Sequence, residues 1–296
     1  MTPPRLSACI TFDFDGYSSW IGTMKSRNPS MISRGQFGAV AIPRILDLLD
    51  AHGVRSTFAV PGHTAYAFPR QVAMIRDRGH EIAHHGWVHE NPAHFDEAGE
   101  RRVLERGLEA LQRTVGVRPT GYRSPAWDFS ERTVDLLLEY GFTYDSSCMG
   151  DDTRPYYLRT GDAWTVDSPF HFGPTTPLVE LPVSWSLDDF PPFEFVLGTN
   201  EGLKAASAVE ESWRGDFDWA YAHSPGGLFN LTLHPQTIGR GHRMALLDRL
   251  LGHMRERDGV LFEPLGAYAE RWRAQNPLEA WKAAHPDLTG ELSIEQ

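Results

Sequence analysis

Five histidines crowd into residues 80–94: His80, His84, His85, His89 and His94. The chain has 13 histidines in 296 residues, so an even spread would place fewer than one there. A His-rich solvated loop is the plain explanation; a metal site is the chemical one. His85 and His89 stand four apart with Gly86 between them. On one helical turn or in a tight loop, both imidazoles then face one ion. His84 and His85 are adjacent and diverge, so at most one of them is a ligand. With only 2 Cys, four-thiolate zinc, iron–sulfur clusters and a multi-disulfide scaffold are excluded. Metal chemistry here must use imidazole and carboxylate.

Carboxylates for such a site stand in Thr11-Phe12-Asp13-Phe14-Asp15-Gly16, behind the apolar stretch Leu6–Phe12. A spacing of two keeps Asp13 and Asp15 on one side of an extended chain. Two like charges so close repel unless a cation is present; a pair of loop-capping aspartates is the alternative. Arg123, before Ser124-Pro125, can orient a carboxylate by a bidentate contact or lie on the surface. His234 follows Leu228–Leu233, where a lone histidine is more often packed than catalytic.

These residues need elements to hold them. Leu6–Phe12, Val54–Val60, His80–Ala83, Leu228–Leu233 and Val260–Phe262 read as strands. Apolar residues at helical spacing lie between them: Ile42, Ile45, Leu46 and Leu49; then Leu104, Leu108, Leu111 and Val115; later Met244, Leu247, Leu251 and Met254. Gln71–Arg78 reads as a helix closed by Gly79, and the second stripe stops at Gly116. Alternating β and α segments predict an α/β fold with a parallel sheet, a distorted barrel of seven or eight β/α units. Strand C-terminal ends are where barrel active sites lie, and Asp13, Asp15 and His234 stand there. We expect a single domain over residues 1–296, with a motif-bearing core of about 6–265 and a mobile tail from about 283. Gly16–Gly38 and Tyr156–Pro192 break the rhythm and read as lid or binding loops.

Five segments, in order, resemble the polysaccharide deacetylase family, carbohydrate esterase family four. They are Thr11–Gly16, His85-Gly-Trp-Val-His89, Arg123-Ser-Pro125, Trp185-Ser-Leu-Asp188-Asp189 and Leu231-Thr-Leu-His234. The resemblance implies a distorted barrel and a metal-dependent hydrolase. Asp15, His85 and His89 would be the ligands, Asp13 the general base, Arg123 its partner and His234 the general acid. The sequence departs from the family pattern at Phe14, which separates two usually adjacent aspartates, and at Gly86, where a hydroxyl residue is usual. Asp13-Phe-Asp15 and the run after His234 are similar to an intracellular branch containing cofactor-free allantoinases and cyclic imide hydrolases, many of them tetrameric.

The expected activity is hydrolysis of C–N bonds in small cyclic amides, imides or ureides, with one divalent metal. Zinc is placed first; cobalt, manganese, nickel and iron also suit these ligands. Trp20, Trp127, Trp185, Phe190 and Arg240 are the expected substrate contacts, and packing or surface roles are their alternatives. An N-acetyl polysaccharide or peptidoglycan deacetylase would use the same machinery; a small closed cavity favours the amide and a long open groove the glycan. Two His and one carboxylate also make an iron oxygenase triad, which leaves Asp13, Arg123 and His234 idle. A catalytically silent binding protein leaves the whole set idle. The net charge of −11 argues against nucleic acid as a partner, and no apolar run is long enough to span a membrane. The start of the chain lacks the apolar core of a signal peptide, so the expectation is a cytoplasmic enzyme; the resemblance to the intracellular branch implies a homotetramer with a small amide or imide as its partner.

Overall fold

A computed structural model describes residues 4–289. Its main sheet has nine strands, numbered here β1 Leu6–Asp13, β2 Thr57–Val60, β3 Glu81–His84, β4 Gly121–Tyr122, β5 Tyr144–Asp145, β6 Tyr156–Arg159, β7 Thr175–Glu180, β8 Gly227–Leu233 and β9 Val260–Phe262. The order is β8-β1-β2-β3-β4-β5-β7-β6, and β9 pairs with the first residues of β1. Every pair is parallel except β6 with β7. This is the expected α/β architecture with a mostly parallel sheet, a barrel that among the described residues is not closed by a strand ladder between β7 and β8.

Alternation along β1 explains how the sheet presents its chemistry. Leu6, Ala8, Ile10, Phe12 and Phe14 join the large apolar cluster under the helices. Ser7, Cys9, Thr11 and Asp13 therefore line the opposite, inner face. Helices Pro29–Ala51, Pro69–Asp77, Ala206–His223 and Gly241–Arg255 cover the outer side with Ile42, Ile45, Ile75, Trp213, Leu247 and Leu251. Helix Glu97–Val115 starts on Asp96, whose side chain accepts from Gly99 N, and stops at Gly116 with φ +68°.

The seam between β7 and β8 is spanned by a side chain. Asn230 Nδ2, on the inner face of β8, donates to Ser146 Oγ at 3.0 Å and Pro182 O at 3.0 Å. Asp189 N donates to Thr232 O at 3.2 Å, so residues 188–189 take the place of a strand beside the end of β8.

Several boundaries depart from expectation. Residues 16–38 are not one long loop: Ser19–Thr23 forms a π-helical turn and the first long helix begins at Pro29. Gly35 hides that start in the sequence. It is a helix glycine because a Cβ there would stand 2.1 Å from Gly16 O. Within Tyr156–Pro192 lie β6, β7 and a separate hairpin, Ala163–Thr165 with Ser168–His171. Residues 283–289, expected as tail, include the end of helix Leu278–Ala284 and a short helix, Pro286–Thr289; the tail from 290 lies outside the described residues. No helix among the described residues is long and apolar enough to cross a membrane.

Candidate active site

The inner face of β1 delivers Asp13 at its end and Asp15 two residues later. Phe14 points outward between them and stacks near Phe68, with ring centroids 6.0 Å apart. The intervening residue is thus what strand alternation requires for both carboxylates to face one cleft. Asp15 is fixed from its main chain: Ser18 N and the Thr64 hydroxyl both donate to its carbonyl.

His85 follows β3. Its neighbour His84 lies on the other face, with Nδ1 accepting from Gly86 N at 3.2 Å and Nε2 beside Leu104 O at 3.1 Å. The two histidines diverge as expected. The chain then turns through Gly86 at φ +71° and brings back His89 at φ +60°. Glu90 holds that loop by accepting from Trp87 N and Val88 N. A tight loop, not a helix, unites the two imidazoles. A left-handed backbone at a non-glycine residue such as His89 costs of order 1–3 kcal/mol and persists where the surroundings enforce it.

Asp15, His85 and His89 can offer ligand atoms that all lie within 4.8 Å of one another. Nε2 of His85 is 3.4 Å from Asp15 Oδ1, and Nε2 of His89 is 3.6 Å from it. Asp15 Oδ1 and His85 Nε2 are buried and have no hydrogen-bond partner, which is unusual for buried polar atoms and suits atoms reserved for an ion. His85 Nδ1 donates to Arg123 O at 2.7 Å, leaving the Nε2 lone pair for the site. Burial opposes charge on Asp15, yet His89, His85 and His234 hold its carboxyl below the usual range. Burial holds His89 down at about 4, so its ring is neutral as a ligand must be. Burial also opposes charge on His85, but Asp13 and Asp15 outweigh it and raise its pKa; the field that favours a proton there favours a cation equally. The donor set fits a divalent metal.

Asp13 stands beside this trio, with Oδ2 3.8 Å from His85 Nε2. Its Oδ1 accepts from Arg123 Nη1 at 2.9 Å. Arg123 is itself buried and fully engaged: Nη1 also reaches Thr11 Oγ1, Nε donates to Ser146 O, and Nη2 donates to Ser146 Oγ. Ala59 and Ala83, both buried, stand in register with Asp13 on β2 and β3.

Opposite, His234 ends β8 with Nε2 3.9 Å from Asp15 Oδ2. Its Nδ1 donates to Asp189 Oδ1 at 2.7 Å, and the same oxygen accepts from His234 N at 2.9 Å. Asp188 Oδ1 lies 3.6 Å from the ring. Burial works against the imidazolium, but Asp188 and Asp189 raise the His234 pKa well above its ordinary value. The segment holding these aspartates stands out in the sequence, but their contact with His234 does not. It spans 45 positions and joins two segments at the seam.

Above this chemistry is a cavity of about 250 Å³. Trp127, Trp185, Phe190, Pro191, Met24 and Asn200 wall it, with Asp13, Asp15, His89, Asp188 and His234 at the base. The rings of Trp127 and Trp185 lie 4.3 Å apart. Ala126 and Trp127 both have positive φ, +57° and +58°, a second strained point on the rim. Two expected contacts are elsewhere. Trp20 is buried beneath the π-turn, under the Arg34 guanidinium at 5.3 Å, because that turn rotates it away from the cleft. Arg240 is exposed and stacks 3.6 Å over Phe37, since it precedes the helix starting at Gly241 and points out with it.

The model of the polysaccharide deacetylase family matches residues 3–144. A peptidoglycan deacetylase of Helicobacter pylori is 35% identical over 279 residues, covering 90% of this chain and 95% of its own length. The chain belongs to the polysaccharide deacetylase family. Like the deacetylases it matches, it is a hydrolase of C–N bonds other than peptide bonds, which sets aside the oxygenase. A solved structure from Mycobacterium smegmatis carrying the polysaccharide deacetylase description is 37% identical, with TM-score 0.82 and 92% of each chain covered. PuuE allantoinase shares the fold, with TM-score 0.76, 23% identity and coverage of 93% of this chain and 92% of that one.

Proposed function

We propose that this hydrolase opens small, uncharged cyclic amides, imides or ureides. The observation that carries the reading is the cavity. At about 250 Å³, with two tryptophans and a phenylalanine as walls, it suits one flat ring. No Lys or Arg is among its lining residues, and Asp13, Asp15 and Asp188 are, which favours an uncharged ring.

Asp15, His85 and His89 would hold one divalent ion, zinc first among the candidates. When bound, the ion acidifies water and polarises the substrate carbonyl. Asp13, with one oxygen held by Arg123, takes the proton from the attacking water. His234, whose Nδ1 is tied to Asp189, presents Nε2 to the cleft and protonates the leaving nitrogen. Base and acid so placed each contribute roughly 10²–10⁴-fold.

A second reading, N-acetyl glycan or peptidoglycan deacetylase, is favoured by the H. pylori relative. A substrate panel separates the two. We expect ring opening of at least one of succinimide, hydantoin or allantoin, and no acetate from chito-oligomers. Acetate release from the oligomers with all three rings untouched would overturn the proposal. We propose further that the assembly is a homotetramer, which light scattering tests.

The acid role carries its own pH signature. His234 serves as an acid only while protonated, so activity falls as pH rises through its pKa. Asp189 raises that pKa; Asp189→Asn should therefore move the alkaline limb of the kcat/KM profile to lower pH. The loss should be steepest for substrates with poor leaving groups. An alkaline limb that stays in place in this variant would rule out His234 as the titrating acid.

A further inference from the structure

We infer that Thr23, on the π-turn Ser19–Thr23, is a positioning residue for His89. The inference rests on the proposed metal site and adds to it a segment outside the histidine motif. Thr23 Oγ1 is 2.6 Å from His89 Nδ1 and 2.7 Å from His89 O. The hydroxyl has one proton, and the carbonyl can only accept it. Nδ1 must then donate to the hydroxyl oxygen, which places the His89 proton on Nδ1 and leaves Nε2 as the lone-pair nitrogen. One hydroxyl thus fixes the tautomer, the ring orientation and the left-handed main chain of His89 at φ +60°.

The position of Thr23 is itself fixed. Gly22 packs so closely on the histidine loop that a Cβ would stand 1.7 Å from Val88 O. Ser26 N donates to Trp20 O at 2.9 Å and Met24 N to Ser19 O at 3.0 Å, closing the turn on itself. π-turns often occur at functional sites, since their extra residue re-aims side chains. Within the His85–His89 motif, Gly86 stands where a hydroxyl residue is usual. Here the hydroxyl that meets the imidazole arrives from another segment, 66 positions away.

The same turn lines the cavity through Ser19 and Thr23, followed by Met24. Partners that orient a ligating histidine typically contribute about 10–100-fold to metal affinity.

Thr23→Val keeps the side-chain shape and removes the hydroxyl; Thr23→Ser restores it. Two readouts are needed: zinc affinity by chelator competition, and the imidazole ¹⁵N shifts of His89 in metal-free protein. Thr23→Val should bind zinc about 10–100-fold more weakly and lose the single Nδ1–H tautomer. Thr23→Ser should match the parent in both. Parent-like zinc affinity and tautomer in Thr23→Val would overturn the inference while leaving the metal site standing. If Thr23→Val fails to fold, mixed tautomers in the parent's own spectrum would overturn it instead, and a single Nδ1–H form would support it. Zinc binding absent from the parent would instead overturn the metal site, on which the inference depends.

Discussion

Asp13→Asn should leave the metal bound and lower kcat by roughly 10²–10⁴-fold. The change replaces one oxygen by an NH2 group of the same shape. The remaining oxygen can still accept from Arg123, so the local packing survives. Asp13 lies outside the trio whose ligand atoms converge, and the partnerless oxygen belongs to Asp15. Lost turnover with full metal content therefore separates base from ligand. Single-turnover rates and metal stoichiometry on the same preparation check this. An active Asp13→Asn, or one stripped of metal, would remove Asp13 from the base role. Asp15→Asn, by contrast, should lower metal content first.

Arg123→Met should cost about 3–5 kcal/mol of stability as well as activity. The guanidinium is buried, and its donors serve Asp13, Thr11 and Ser146. Removing it leaves the Asp13 carboxylate in a buried site without its cation. Ser146 loses a donor at both its carbonyl and its hydroxyl. The double variant Asp13→Asn/Arg123→Met removes the stranded charge and should recover part of the loss. Urea titration of the four proteins completes the cycle. Additive single effects would mean that the pair is not coupled. Arg123→Lys should not restore wild-type behaviour, because an ammonium lacks the planar fork that reaches Asp13 and Ser146 together.

Each segment of the proposed metal site is legible because its own pattern is local. Period-two alternation along β1 places Asp13 and Asp15 together, and adjacency separates His84 from His85. Parallel β/α order follows from apolar periodicity, so the C-terminal end of the sheet could be identified as the site. What escaped depends on contacts between distant segments. Asp189 is the partner of His234 only because residues 188–189 lie alongside β8. Thr23 sits in a stretch whose π-turn has no apolar period to announce it. Trp20 stands near Asp13 and Asp15 in the chain, but chain proximity did not fix its direction. Arg240 follows His234 by six residues and is carried outward by the next helix. Composition restricts any metal to imidazole and carboxylate, but it could not say which two of the 13 histidines would hold it.

The open seam between β7 and β8 has an evolutionary consequence. The chain crossing it, residues 181–226, supplies Trp185, Phe190, Pro191 and Asn200 to the cavity wall and Asp189 to His234. The proposed metal ligands and Asp13 come instead from the ends of β1 and β3, held by continuous parallel ladders. Insertions or exchanges in the crossing segment can reshape the cavity without breaking a ladder bond of the main sheet, provided the two residues beside Thr232 stay in register. Part of the cavity wall can thus vary apart from Asp13, Asp15, His85 and His89. A library confined to residues 190–204 would vary that wall while sparing those four residues.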